Sequence, residues 1–114
     1  MYNCKTYQTT LRHPCNSDLK GRDYIDATRA YFAEKDGLMD DVLRLAGEHG
    51  CLLIMDSSRT SLDRWYYLHP SLRVEGWQLS HFDQQGPICH DDIRNDPHEL
   101  SHALPDFIEC WWVE

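Results

Sequence analysis

The residues with the clearest capacity for chemistry are two histidines four positions apart, His98 and His102, with Glu99 directly after the first. On an α-helix, side chains four positions apart lie on one face, so both imidazoles could bind one metal ion. A carboxylate beside such a metal can deprotonate a bound water molecule. We call His98 and His102 the histidine pair, and its spacing predicts a zinc site with Glu99 as the general base.

Residues 98–104 read H-E-L-S-H-A-L, which resembles the active-site helix of zincin metallopeptidases, where H-E-L-x-H-A-L is a common form. The resemblance covers seven of the 114 residues. It implies zinc as the cofactor, His98 and His102 as its ligands, and Glu99 as the base of a zinc-dependent hydrolase or peptidase. Neither a phosphate-binding glycine loop nor a G-x-S-x-G elbow occurs elsewhere in the sequence.

A catalytic zinc ion takes three protein ligands, and the spacing does not identify the third. Asp106 and Glu109 follow the histidine pair, whereas His81 and His90 precede it on a predicted hairpin. None of the four has the spacing of the zincin family. We take His90, together with the histidine pair, as the alternative metal site.

The same stretch also carries helix-boundary signals. Pro97 suits the first helical position and Asp96 suits the N-cap, with Glu99 three residues later as in a capping box. Pro105 stops the helix after about two turns. We therefore favour a short capped helix carrying two histidines, and we expect no bound cofactor, with zinc as the alternative.

Length and charge describe a small acidic protein. A chain of 114 residues suits one domain spanning residues 1–114, and 41% hydrophobic residues permit a modest core. The net charge of −8 disfavours direct binding to nucleic acid, because phosphates would be repelled. The same charge favours a protein partner with a basic surface.

The sequence predicts a cytoplasmic protein that does not enter membranes. It has no run of about 20 apolar residues, and residues 1–6 are not followed by the apolar stretch of a secretory signal. The five cysteines are scattered and never spaced C-x-x-C, which indicates reduced thiols. Residues 89–92, Cys-His-Asp-Asp, bring reactive groups together in sequence, but alternation along a strand would send neighbours to opposite faces.

Hydrophobic periodicity predicts the order β, α (one long helix or two), β, β, β, β, α, β. The helical region starts near Asp23, Asp36-Gly37 is a candidate interruption, and Gly50 is a natural end signal. We predict an α+β fold in one domain. Its antiparallel sheet has about four to six strands, with the helix or helices of the N-terminal half on one face and a short helix near the C-terminus.

Aromatic residues on the predicted strands exceed what a small sheet can bury. The candidates for contact with a partner are Trp65, Tyr67, Trp77 and Trp111. One sheet face could pack on the helices while the other presents aromatics to a partner protein or to a second copy of the chain. The alternative is that both faces are covered.

The stretch from Trp77 to His90 resembles a hairpin of small bacterial proteins from plasmids, phages and gene cassettes, which reads approximately W-x-x-T-x-F-D-x-x-G-P-x-G-H. Cys89 replaces the usual glycine. The resemblance implies an accessory factor of a mobile genetic element, for example of the anti-CRISPR or antirestriction type. Together with charge and aromatics, it predicts a protein that acts by binding another protein, whereas the alternative is the zinc hydrolase.

Overall fold

The computed structural model describes residues 1–56, 64–83 and 86–114. Within these ranges the chain forms six strands, two α-helices and a short 3-10 helix over Pro14–Asn16. The strands and helices are β1 (Tyr2–Gln8), α1 (Arg22–His49), β2 (Leu52–Asp56), β3 (Arg64–Pro70), β4 (Trp77–Asp83), β5 (Gly86–Ile93), α2 (Pro97–Ala103) and β6 (Phe107–Val113).

The strands form one sheet in the order β1-β6-β2-β3-β4-β5, and every neighbouring pair is antiparallel. The C-terminal strand β6 lies between β1 and β2, so both ends of the chain contribute to one half of the sheet. The other half is a meander of β2 to β5. The predicted α+β class, with an antiparallel sheet and a short second helix, is confirmed.

The sequence left open whether this region forms one helix or two, and the structure shows a single helix, α1, of 28 residues. Gly37 is exposed and its backbone stays helical, so the Asp36-Gly37 step does not interrupt α1. Gly50 ends the helix with φ at +78°, a left-handed conformation that a residue without a side chain adopts at little cost.

The core lies between this helix and one face of the sheet. Buried residues of α1 recur at helical spacing and meet the central strands, where Ile54, Leu68 and Ile108 are at most 1% exposed. From α2, Leu100 joins the same cluster. The α1 residues in this cluster are Met39, Val42, Leu43 and Ala46.

The opposite face of the sheet is not covered by either helix. Because side chains alternate along a strand, Leu53, Met55 and Tyr67 point away from the face that holds Ile54 and Leu68. None of these side chains belongs to the core cluster or packs against it. We call this surface the open face, and its apolar members are Leu53, Met55, Trp65, Tyr67, Phe82, Phe107 and Trp111.

Lys35 and Asp41 make two of the polar contacts that attach α1 to the rest of the molecule. Lys35 is buried, donates a hydrogen bond to the carbonyl oxygen of Leu104, and lies 3.4 Å from Oδ1 of Asp106. Asp41 accepts hydrogen bonds from Lys5 Nζ at 2.8 Å and from the Tyr7 hydroxyl at 2.5 Å. The first contact holds the segment between α2 and β6, and the second holds β1.

Replacing Lys35 with methionine should lower the free energy of unfolding by about 1.5–3 kcal/mol, because a charged hydrogen bond is lost and the carbonyl of Leu104 loses its donor. Urea denaturation of Lys35→Met measures the change. Lys20→Met is the matched control, because Lys20 is exposed. Equal unfolding free energies for the two variants would contradict a stabilising role for Lys35.

Asp41 should make the stability of the protein depend on acid pH. The hydrogen bonds from Lys5 and Tyr7 hold the pKa of Asp41 below its ordinary value. The stabilisation is therefore present at pH values above the ordinary aspartate pKa of about 3.9, and it is lost as the pH falls through the lowered pKa.

Asp41→Asn should reduce the free energy of unfolding by about 1–2 kcal/mol at neutral pH and flatten its decline between pH 5 and 2. Denaturation curves across this range measure both effects. Asp40→Asn serves as the control, because the pair that Asp40 forms with Arg44 is exposed and lies within one helix. An acid decline that is equally steep in the wild type and in Asp41→Asn would exclude the linkage.

Candidate functional site

The short helix α2 presents the histidine pair as its spacing predicts. Pro97 occupies the first turn, and the side chain of Asp96 accepts a hydrogen bond from the backbone N–H of His98 at 2.9 Å. The predicted N-cap is therefore confirmed. The Nε2 atoms of His98 and His102 lie 3.0 Å apart, which is within the distance that separates two ligands of one metal ion.

An aspartate from the other helix orients the first histidine. Nδ1 of His98 lies 3.2 Å from each carboxylate oxygen of Asp36, and Ser101 donates to Oδ1 of the same carboxylate at 2.7 Å. A carboxylate on Nδ1 favours the tautomer whose Nε2 is unprotonated, as in the outer shell of many metal sites. Sequence reasoning missed Asp36, because 62 residues separate it from His98.

Glu99 and His90 have other partners. The Glu99 carboxylate accepts a hydrogen bond from the backbone N–H of Arg94 at 3.4 Å, just before the helix. His90 lies on β5, where its Nδ1 is 3.0 Å from Oγ of Ser80, and the same oxygen lies 3.2 Å from Nε2 of His69. Strand alternation places these three residues on the open face, so the structure does not bring His90 to the histidine pair.

Three of the four predicted contact aromatics share the open face. Tyr67 and Trp111 lie on neighbouring positions of β3 and β6 across β2, and Trp65 lies further along β3 with 39% of its surface exposed. Trp77 points to the other side, where it packs against the core cluster. The structure therefore separates Trp77 from the other three residues.

One end of the open face contains a cavity of about 290 Å³. Its floor and walls are mostly apolar or aromatic, and the ring of His49, at the end of α1, stacks on Trp112 with centroids 4.8 Å apart. The lining residues are Tyr2, His49, Cys51, Leu53, Tyr67, Trp111, Trp112 and Val113. A cavity of this size accommodates a large apolar side chain.

A second set of reactive groups lies at the far end of the sheet, on the side of the helices. His81 on β4 pairs across the strands with Cys89 on β5, and Asp91 follows two positions later on the same face. Nδ1 of His81 lies 3.1 Å from Sγ of Cys89, and Nε2 lies 3.4 Å from Oδ2 of Asp91. Burial lowers the pKa of His81, and the charge of Asp91 partly opposes this effect.

Sequence reasoning missed this set because it considered Cys89 beside its neighbour His90. The expectation that adjacent strand residues face opposite sides is confirmed, since Cys89 pairs with His81 and His90 pairs with Ser80. The imidazole next to the thiol comes from the other strand of the hairpin. Among the described residues, His81, Cys89 and Asp91 are also the group of three whose potential ligand atoms all lie within 4.8 Å of one another.

Comparison with other proteins does not assign the chain to a family. No protein-family model, curated protein or solved structure matches it. In the described part of the chain, neither helix combines the length and apolar character needed to cross a membrane. The function must therefore be inferred from the geometry of these sites.

Proposed function

We propose that this protein acts by binding another protein, and that the open face is its contact surface. The observation that carries the proposal is that both helices of the described residues pack on one side of the sheet, while the other side presents seven apolar or aromatic side chains among polar ones. An apolar surface of this kind, bordered by polar residues, is typical of a protein-binding site.

The cavity at the end of the open face supplies a place for an anchoring side chain. Tyr67 and Trp111 line it together with Leu53 of the intervening strand. Binding energy at protein interfaces is concentrated where a side chain fills a desolvated pocket, and tyrosine and tryptophan are enriched there. We therefore assign the largest share of the binding free energy to the contacts of Tyr67 and Trp111.

Charge favours a basic partner over a second copy of the chain. Each copy carries a net charge of −8, so association of two copies would bring like charges together. Glu109 also lies on the open face, between Phe107 and Trp111 along β6. A lysine or arginine of a partner could pair with this carboxylate, whereas a phosphate would be repelled.

The mobile-element resemblance of the hairpin suggests one setting for such binding. An accessory factor of the anti-CRISPR or antirestriction type would use the open face to occupy a basic site on a host protein. The resemblance suggests only the biological context of binding, whereas the contact residues are inferred from their positions on the sheet.

Tyr67→Ala and Trp111→Ala should each weaken binding of the partner by about 30-fold or more, which corresponds to a hot-spot loss of about 2 kcal/mol. The wild-type protein is used to capture a partner from bacterial lysate at low salt, and calorimetry with the identified partner then gives the affinities. Binding should also weaken as salt is added, because the complementary charges are screened.

Ile25→Ala is the matched control, because Ile25 is an exposed apolar residue of α1 and lies outside the open face. Its affinity for the partner should equal that of the wild type, and circular dichroism verifies that all variants are folded. The proposal is wrong if no specific partner is recovered at low salt, if both cavity variants bind normally, or if the open face instead mediates a homodimer or binds single-stranded nucleic acid.

A second candidate function is binding of zinc by the histidine pair. Two observations favour it. The Nε2 atoms of His98 and His102 lie close together, and the carboxylate of Asp36 contacts Nδ1 of His98, as outer-shell carboxylates do with metal-binding histidines. Hydrolysis would further require Glu99 beside the metal, whereas its carboxylate bonds to the backbone of Arg94. We therefore propose metal binding by the pair and assign it no reaction.

Calorimetric titration with zinc tests this candidate. His98→Ala and His102→Ala should abolish stoichiometric binding at the pair, and Asp36→Asn should weaken it by about tenfold, because the tautomer of His98 is no longer held. His90→Ala should bind zinc as the wild type does, since His90 lies on the open face. The proposal of a metal site at the histidine pair is wrong if the wild type does not bind zinc or if His98→Ala binds it unchanged.

A further inference from the structure

We propose that Cys89, His81 and Asp91 form a thiol–imidazole–carboxylate triad in which Cys89 is a nucleophile for acyl groups. We call these residues the thiol triad. They lie on the helix side of the sheet and include no member of the histidine pair. Failure of this proposal therefore leaves both candidates described above standing.

Each ring nitrogen of His81 has a different neighbour. Sγ of Cys89 is 3.1 Å from Nδ1 of His81, and Oδ2 of Asp91 is 3.4 Å from Nε2. The potential ligand atoms of the three residues also lie within 4.8 Å of one another, so a metal ion is the competing occupant that the experiments below must distinguish. The arrangement suits transfer of the thiol proton to Nδ1. The Asp91 carboxylate lies 3.4 Å from Nε2 without a hydrogen bond to it, and its charge would stabilise the imidazolium that forms.

The backbone of the hairpin produces this arrangement. His81 and Cys89 are directly opposite across β4 and β5, and Asp91 follows two positions along, so all three side chains emerge on one side. The register shifts next to His81, where Phe82 pairs with Pro87 and leaves position 88 without a partner. Such a bulge re-aims the neighbouring side chains and is common beside active sites.

The surroundings of the ring keep His81 able to act as a base. Its pKa is lowered by burial, so the ring is neutral and free to accept a proton near pH 7. Asp91 opposes the lowering, and the charges of Arg64 and His90 reinforce it. Tyr66 packs against the imidazole of His81 in a T-shaped arrangement, with the two ring centroids 4.7 Å apart.

A cleft beside the triad provides room for a small substrate. It has a volume of about 190 Å³ and is lined by Arg64, Trp65, Tyr66, His81 and Phe82. The guanidinium of Arg64 in the lining is suited to a carboxylate or a phosphate, and the aromatic side chains are suited to a flat or apolar group. The geometry thus points to an ester or thioester whose acyl group carries a negative charge.

The reaction has two steps. His81 Nδ1 takes the proton of the Cys89 thiol, and the sulfur attacks the carbonyl carbon as the bond to the leaving alcohol or thiol breaks. The leaving group takes the proton from the imidazolium, and the acyl group remains on Cys89 as a thioester. Water, deprotonated by His81, then attacks that carbonyl and releases the free acid, while the sulfur regains its proton.

The four exposed cysteines make a competition experiment possible within one molecule. Cys4, Cys15, Cys51 and Cys89 are all exposed and free, but the thiol triad includes Cys89 alone. With limiting iodoacetamide at pH 7, peptide mapping should find Cys89 alkylated at least about tenfold faster than the other three, because His81 is positioned to accept the thiol proton as the sulfur attacks. His81→Gln should reduce Cys89 to the rate of the others, and Asp91→Asn should give an intermediate rate.

Acyl transfer is tested with two p-nitrophenyl esters, the neutral acetate and the anionic monosuccinate. Mass spectrometry should localise the acyl group to Cys89, with the succinate ester reacting faster. Arg64→Gln should remove the preference for the succinate ester. Circular dichroism establishes that each variant is folded, and Cys15→Ser is the control that should change neither rate.

Three results would overturn the triad. The first is alkylation of Cys89 at the rate of the other exposed thiols, and the second is full reactivity in His81→Gln. The third is stoichiometric zinc binding that blocks Cys89 and is lost in Cys89→Ser, which would identify a metal site in the same residues.

Discussion

The packing of α1 against the centre of the sheet is the interaction on which the other features depend. Its buried stripe meets Ile54, Leu68 and Ile108 and removes the centre of one sheet face from water. Burial of apolar area is the dominant favourable contribution to folding, so this contact determines which face is interior. Both helices of the described residues lie on one side of the sheet, and the open face is the side that they leave without a helix.

The polar contacts of α1 are consequences of the same packing. Once the helix lies across the sheet, Asp36 meets the histidine pair, Lys35 meets the segment before β6, and Asp41 meets β1. One helix therefore holds three segments that are distant in sequence. Its length matters, because a helix broken at Gly37 would separate Lys35 and Asp36 from Asp41.

Local patterns predicted much of the fold. The α+β class, the end of α1 at Gly50, the N-cap at Asp96 and the alternation of strand residues are properties of short stretches, in which each residue responds to its near neighbours. Candidate sites were less predictable. Tyr67 and Trp111 share a face because β2 pairs with both β3 and β6, and no local pattern determines that β6 enters between β1 and β2.

By itself, the sequence determined the types of the elements, their order and the presence of two histidines on one helix face, because these follow from periodicity and from helix-boundary chemistry. Tertiary structure alone decided which groups meet across the chain. It joined Asp36 to His98, set Cys89 opposite His81, and turned Trp77 inward while Tyr67 and Trp111 stayed on the open face. Strand pairing and helix docking act between residues far apart in sequence, where the burial of the whole core determines the result.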